Sequence, residues 1–206
     1  MDERLKGYST TEIKDYAKKI KIIENWTTLI NKGEIYKKNE KSLQGDFLTL
    51  FFNDILGFKK IHGNNEWNIV QEGKTEFDAT VPDGILGFFT NNYKEVKVVI
   101  ELKDANTDLD KRQKANHDFR SPVEQAFNYS YKYRGKCRWT IVSNFVQIRL
   151  YHSLDISRFE LFNIKELLNE NNFKRFYFLL NMESLIRRNE ISITDKLYED
   201  NGLEIM

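Results

Sequence analysis

Apolar residues recur at helical spacing across positions 10–30, where Ile13, Tyr16, Ile20 and Ile23 share one face of a charged stretch. Gly33 interrupts this first helix. A second is predicted over 36–56 from the stripe Leu43, Phe47, Leu50, Phe51 and Ile55, with Gly57 ending it just past the last turn. Positions 66–71 and 76–81 are weakly strand-like, and Gly73-Lys74 between them suits a turn. The pattern then sharpens. An apolar run at 84–89, the turn pair Asn91-Asn92 and a β-branched run at 96–102 predict an antiparallel hairpin. Its second strand is apolar enough to be buried on both faces.

Positions 104–120 are polar and aperiodic, and are expected to form a loop. It ends at Ser121-Pro122-Val123-Glu124, where Ser121 can cap a helix, Pro122 fits its first turn and Glu124 completes a capping box. That helix is expected to reach about residue 133. Strands follow at 138–143 and 146–151 around a turn at Asn144, and 164–188 reads as helical through Leu167, Leu168, Phe173, Phe176, Phe178, Leu179 and Leu180. The order predicts a mixed α/β (α+β) fold with a mixed central sheet and flanking helices. Three segments are expected to pack as one domain: a helical 1–35, a central 36–160 and a helical connector at 161–206.

Composition narrows the classes. The chain has 206 residues, ordinary for one domain, and a net charge of +1 that neither requires nor excludes a nucleic-acid partner. Cys137 is the only cysteine, so no internal disulfide forms, and its apolar setting predicts a buried structural thiol. The charged N-terminus has no apolar signal core and no stretch approaches membrane-spanning length, so a cytoplasmic location is expected. His62, His117 and His152 are scattered, which disfavours a zinc finger, a histidine metal site or a histidine-based nuclease.

The chemistry concentrates at Glu101-Leu102-Lys103. Alternation places Glu101 and Lys103 on one face with Val99 and Lys97 behind them. A carboxylate and an ammonium ending an apolar strand are costly to bury unless they serve each other or a metal; a strand emerging into solvent is the plainer explanation. A turn centred on Asn91-Asn92 sets Asp83 opposite Ile100, beside Glu101. Two carboxylates and a lysine then meet at one end of a hairpin, a set suited to magnesium with phosphate oxygen and water. Lys103 is then placed to orient or deprotonate the attacking water. Asp78 competes for the aspartate role, but the same register carries it past the strand end. Asp83 also fits a plain turn residue in Pro82-Asp83-Gly84.

Pro82-Asp83, a hairpin, then Glu101-Leu102-Lys103 resembles the signature of the PD-(D/E)XK nucleases. Further motifs are similar to the N-terminal endonuclease region of type IIG restriction–modification enzymes. They are 83–89, 98–103, Thr107-Asp108-Leu109-Asp110, Pro122 to Phe127 with Tyr129, Ser143-Asn144-Phe145 and Arg149-Leu150-Tyr151. The resemblance spans about residues 40–180 and implies a restriction-endonuclease-like α-β-β-β-α-β core within 36–160. It implies catalysis by Asp83, Glu101 and Lys103, with Mg2+ (Mn2+ substituting) held by Asp83 and Glu101. It also implies a helix glutamate able to join the metal. Glu40 is the candidate, with a capping or solvated role equally open. Gln125 and Tyr129 match a Q-x-x-x-Y pattern at the active site of RecB-like relatives, and they share one helix face; a polar surface with a half-buried tyrosine is the alternative.

Lys111, Arg112, Lys114 and Arg120, and the cluster Lys132, Arg134, Lys136 and Arg138, are candidates for phosphate contact, although such runs are usually solvated. The expected partner is DNA. A methyltransferase and a target-recognition domain are expected partners missing from this chain, which has no glycine-rich S-adenosylmethionine turn and no Walker loop for ATP. A homodimer is compatible with the resemblance, and no membrane partner is expected. The chain reads equally as an excised domain, a truncated product or a stand-alone subunit. The leading expectation is a magnesium-dependent endodeoxyribonuclease domain of a restriction–modification system. The alternatives are a catalytically inactive DNA-binding or docking module of the same fold, and a nuclease acting on RNA or free ends.

Overall fold

A computed structural model describes residues 13–203 apart from 76, 77, 79, 114–118, 134 and 189. Six strands form one sheet in the order β1 (Trp67–Gln71), β2 (Gly84–Thr90), β3 (Tyr93–Leu102), β4 (Trp139–Ser143), β5 (Gln147–His152) and β6 (Phe159–Asn163). Neighbours are antiparallel except β3 and β4, which run parallel. A parallel pair needs a crossover, and α3 (Pro122–Tyr131) supplies it. Its start follows the sequence closely: Ser121 Oγ accepts from Glu124 N (3.2 Å) and the Glu124 carboxylate accepts from Ser121 N (2.7 Å).

Helices cover both faces of β3 and β4, which is why Val98 to Leu102 are all buried. On one face Val98, Ile100 and Leu102 join the main core with α1 (Tyr16–Asn31), α2 (Glu40–Phe47) and α4 (Glu170–Leu180). On the other, Val96 and Val99 pack with Ile85, Phe89 and Tyr133, while Val142 packs under Val123, Ala126 and Phe127 of α3. The mixed sheet between helical layers is the expected fold class.

The second predicted helix is divided. A short 3-10 turn (Ile35–Lys37) precedes α2, and residues Leu48–Ile55 continue α2 as a π-helix. Widening the helix brings Phe47, Phe51, Phe52 and Ile55 all inside. Gly57, at φ 84°, ends it as predicted. The Lys19 ammonium, on α1, donates to the carbonyls of Asp54 (2.9 Å) and Ile55 at this helix end, where a cation is favoured.

Two differences from the sequence pattern have local causes. No strand occupies 76–81 among its described residues: Asp78 Oδ1 accepts from the hydroxyls of Thr75 (3.0 Å) and Thr80 (2.8 Å) and from Thr80 N (3.2 Å), which curls the backbone into a turn. β6 escaped the pattern because it is an edge strand fixed by pairing with β5, with Phe159 and Leu161 exposed. The connector carries, besides α4, a short α5 (Met182–Leu185) and a further helix, α6 (Ile193–Leu203). Arg138 holds α6 through Asp195 (3.0 Å).

Cys137 is buried, as expected, and burial pushes its thiol up to about 11. The folded protein should therefore resist a thiol-specific reagent at pH 8 and release one equivalent of reactive thiol only on unfolding. Rapid native-state labelling would show that this part of the sheet opens. No helix among the described residues is long and apolar enough to cross a membrane.

Candidate active site

The hairpin of β2 and β3 begins in the expected register, with Thr90 facing Tyr93 and Phe89 facing Lys94. It then slips by one residue. Gly87 faces Val96 but Leu86 faces Val98, leaving Lys97 as the unpaired residue of a bulge. Two expectations change. Lys97 is not part of the Glu101–Lys103 row, and it pairs with Glu95 instead (2.7 Å). Gly84, not Asp83, faces Ile100, so Asp83 lies one step further, level with Glu101. A flat ladder in the starting register would turn Glu101 toward the main apolar core; the bulge resets alternation and turns it to the α3 side.

Glycine at 87 makes the bulge feasible, since a Cβ there would lie 1.9 Å from the Glu95 carbonyl oxygen. Beyond it, Asp83 is held by three hydrogen bonds to two of its oxygens. Its Oδ2 accepts from Leu102 N (2.7 Å), and its carbonyl accepts from Glu72 N (3.0 Å) and from the Gln44 side chain (3.0 Å). Gln44 is a supporting residue that sequence reasoning missed. The available signal was a polar side chain next to Leu43 in the apolar stripe of α2, where it is buried.

Glu101, at 2% exposure, forms an ion pair with Lys103, whose ammonium also lies 3.8 Å from Glu40. Glu40 reaches inward from the first turn of α2, whose start Asn39 caps through Ser42 N (2.9 Å). Two carboxylates therefore flank one ammonium, and the Asp83 charge acts on it from further off. Burial, then the neighbouring Asp83 charge, pushes Glu101 up to about 8. Burial also raises Asp83 and Glu40, with Lys103 opposing in both. Burial would lower Lys103, but the Glu101 charge and hydrogen bond, with Glu40 and Asp83, carry it upward. All these directions express one condition, a buried site with excess negative charge.

Hard carboxylate oxygens in that condition fit a magnesium ion, which keeps several waters and uses one or two protein carboxylates. Among the described residues no three Asp, Glu, His or Cys side chains converge closely enough to hold a metal ion by themselves. Asp83 and Glu101 are the inner pair, and Glu40 approaches through Lys103. Asp78 is engaged elsewhere, by the Lys132 ammonium (2.7 Å).

On α3, Gln125 Nε2 donates to Tyr129 Oη (3.1 Å). Burial raises the Tyr129 phenol, Gln125 lowers it, and the charges of Glu101, Lys103 and Asp83 all act on it, so the pair borders the carboxylate cluster. The basic candidates are more dispersed. Arg112 approaches Glu124 (3.7 Å), Lys132 is taken by Asp78, and Arg138 by Asp195. Asn128, with its amide oxygen turned toward them, accepts from Lys132 (3.2 Å) and Arg120. Lys111 and Lys136 are exposed, and Lys114, His117 and Arg134 lie outside the described residues.

The segment after Lys103 is pinned to the far side of the sheet. Lys103 N donates to Ser143 O (2.9 Å), Asn144 Nδ2 to Thr107 O (3.0 Å), and Arg149 Nη1 to Asp110 (2.7 Å) and Tyr151 Oη (3.3 Å). Arg149 also lies over the Phe159 ring, 4.7 Å from its centre. Arg149→Met should lower stability by about 2 kcal/mol by removing these hydrogen bonds. Proteolysis should then speed up within residues 104–113; unaltered cutting there would mean that Arg149 does not anchor the segment.

The MmeI N-terminal domain family matches residues 17–199. A solved structure, the cryo-electron microscopy DrdV–DNA complex, aligns at 13% identity over 78% of this chain and 95% of that one, with a TM-score of 0.45. No curated protein matches the chain. With the family matched over nearly the whole described length, the chain belongs to the MmeI N-terminal domain family, the nuclease-like region of type IIG restriction–modification enzymes.

Proposed function

We propose that this domain is a magnesium-dependent endodeoxyribonuclease. The observation that carries the reading is the meeting of Asp83, Glu101 and Lys103 at the open end of the hairpin, with Glu40 beside them. Asp83 and Glu101 are the residues that would hold the ion, with Glu40 as an outlying third carboxylate. The ion, with manganese as a substitute, would supply an acidified water and offset charge on the phosphate. Lys103 orients the attacking water through the ammonium now placed between Glu101 and Glu40, or takes its proton once it has itself given one up and stands as the neutral amine. Gln125 and Tyr129 position the DNA from α3. Lys111, Arg112 and Arg120 are weaker candidates for the same task.

One feature favours a second reading, a DNA-binding or docking module without catalysis: Glu101 and Lys103 are closed on each other. Supercoiled plasmid separates the two. The nuclease reading expects nicking with magnesium or manganese, none after chelation, and loss in Asp83→Ala and Lys103→Ala. Chelator-insensitive DNA binding with no scission under any metal supports the second. In a restriction–modification setting the DNA target is chosen by a separate recognition domain acting with a methyltransferase.

A further inference from the structure

The basic side chains singled out by sequence do not form the most available positive surface beside the site. Lys132 and Arg138 are paired with acids and Arg112 approaches Glu124, which leaves Lys111 and Lys136 exposed but 25 positions apart rather than clustered. By contrast, Lys37, Lys38 and Lys41 are all exposed, and among the described residues no acid pairs with any of them. They are three of the five residues from 37 to 41, in a chain whose net charge is only +1. The one acid among them, Glu40, is turned inward to Lys103.

Their place is fixed relative to the carboxylate cluster by three observations. Asn106, three residues after Lys103, donates to the Tyr36 carbonyl (3.0 Å), so the lysine segment is tied to the strand end that carries Lys103. Glu40 lies between Lys38 and Lys41 in sequence and reaches the Lys103 ammonium at 3.8 Å. Lys41 in turn acts electrostatically on Glu40. Three uncompensated ammonium groups therefore stand on the outer side of a buried, negatively charged site. A polyanion drawn to that site must overcome its carboxylates, and positive charge at the rim offsets that repulsion.

We infer that Lys37, Lys38 and Lys41 form a phosphate-holding rim that grips the DNA backbone beside the bond to be cut. The inference rests on the nuclease reading and names the part of the chain that engages the substrate's phosphates. Lysines on such a rim act as point charges, so they position the duplex without reading bases.

The test is the salt dependence of DNA binding by the full chain. A 30-base-pair duplex of arbitrary sequence would be titrated in EDTA from about 50 to 200 mM salt. Each phosphate contact contributes about 0.9 to the slope of log affinity against log salt. The triple variant Lys37→Gln, Lys38→Gln, Lys41→Gln should lower that slope by about 0.9 per engaged lysine. A control triple, Lys14→Gln, Lys165→Gln, Lys196→Gln, removes the same charge from other exposed positions and should leave the slope near that of the parent.

A slope unchanged in the first variant overturns the rim. So does an equal fall in both variants, because the effect would then be net charge rather than place. If the parent chain binds no duplex at any salt, the nuclease reading itself fails and takes the rim with it. Melting curves of both variants must overlay the parent, a reasonable requirement since all six side chains are exposed on the surface or make no ion pair.

Discussion

Asp83→Asn should give a folded domain that no longer nicks DNA. The substitution is nearly isosteric, and an amide oxygen can still accept from Leu102 N, the 2.7 Å contact that fixes the side chain. What disappears is the negative charge that would hold the cation and its water. Loss of one such electrostatic group costs on the order of 10²–10³-fold in rate. The melting temperature should stay level or rise, because the buried site already penalises that charge. Nicking at the parent rate would remove Asp83 from the site, and a collapsed melt would assign it a structural role.

Lys103→Ala is a less clean probe. It strands the Glu101 carboxylate, 2% exposed, without its cation, and breaking a buried pair costs about 3–5 kcal/mol. Its activity has to be read beside its melt, whereas Asp83→Asn separates chemistry from folding within one variant.

Gly87→Ala should be the most damaging substitution in the hairpin. A Cβ at that position would sit 1.9 Å from a backbone carbonyl oxygen, which no rotamer change relieves. The strands must part or the bulge must move, and a cost of about 3 kcal/mol or more is expected. The bulge sets both the level of Asp83 and the face of Glu101, so activity should fall further than stability alone explains. Urea unfolding and plasmid nicking on the same preparation would measure both. A variant of parental stability would mean that the bulge does not depend on glycine.

The hairpin, the capped α3 and the nearness of Asp83 to Glu101 were legible because each rests on local chemistry, a turn pair, a capping box and a β-branched run, whereas their exact level was one residue out. The bulge was not, since glycine in an apolar run has several meanings until the opposing carbonyl is placed. The turn at Asp78 was hidden because its threonines also favour strands. Gln44 depends on a partner 39 residues away and β6 on pairing with an edge, and no local window contains those. The lysines at 37, 38 and 41 were visible as letters. Only the Asn106–Tyr36 tie shows which site they border.

The turn between β4 and β5 joins two things that are usually tuned separately. Phe145 sits there at φ 64°, a conformation that nonglycine residues seldom adopt, with its amide held by Ser143 Oγ (3.1 Å). Its carbonyl accepts from the Trp26 indole (2.9 Å), and its ring meets Phe47 edge-on. Two residues earlier in the same turn, Ser143 O takes the Lys103 amide. The aromatic interior and the backbone of Lys103 thus share one mounting. A repacking change near Trp26 or Phe47, far from any phosphate, would register as an aiming error at Lys103 before it registered as a loss of fold.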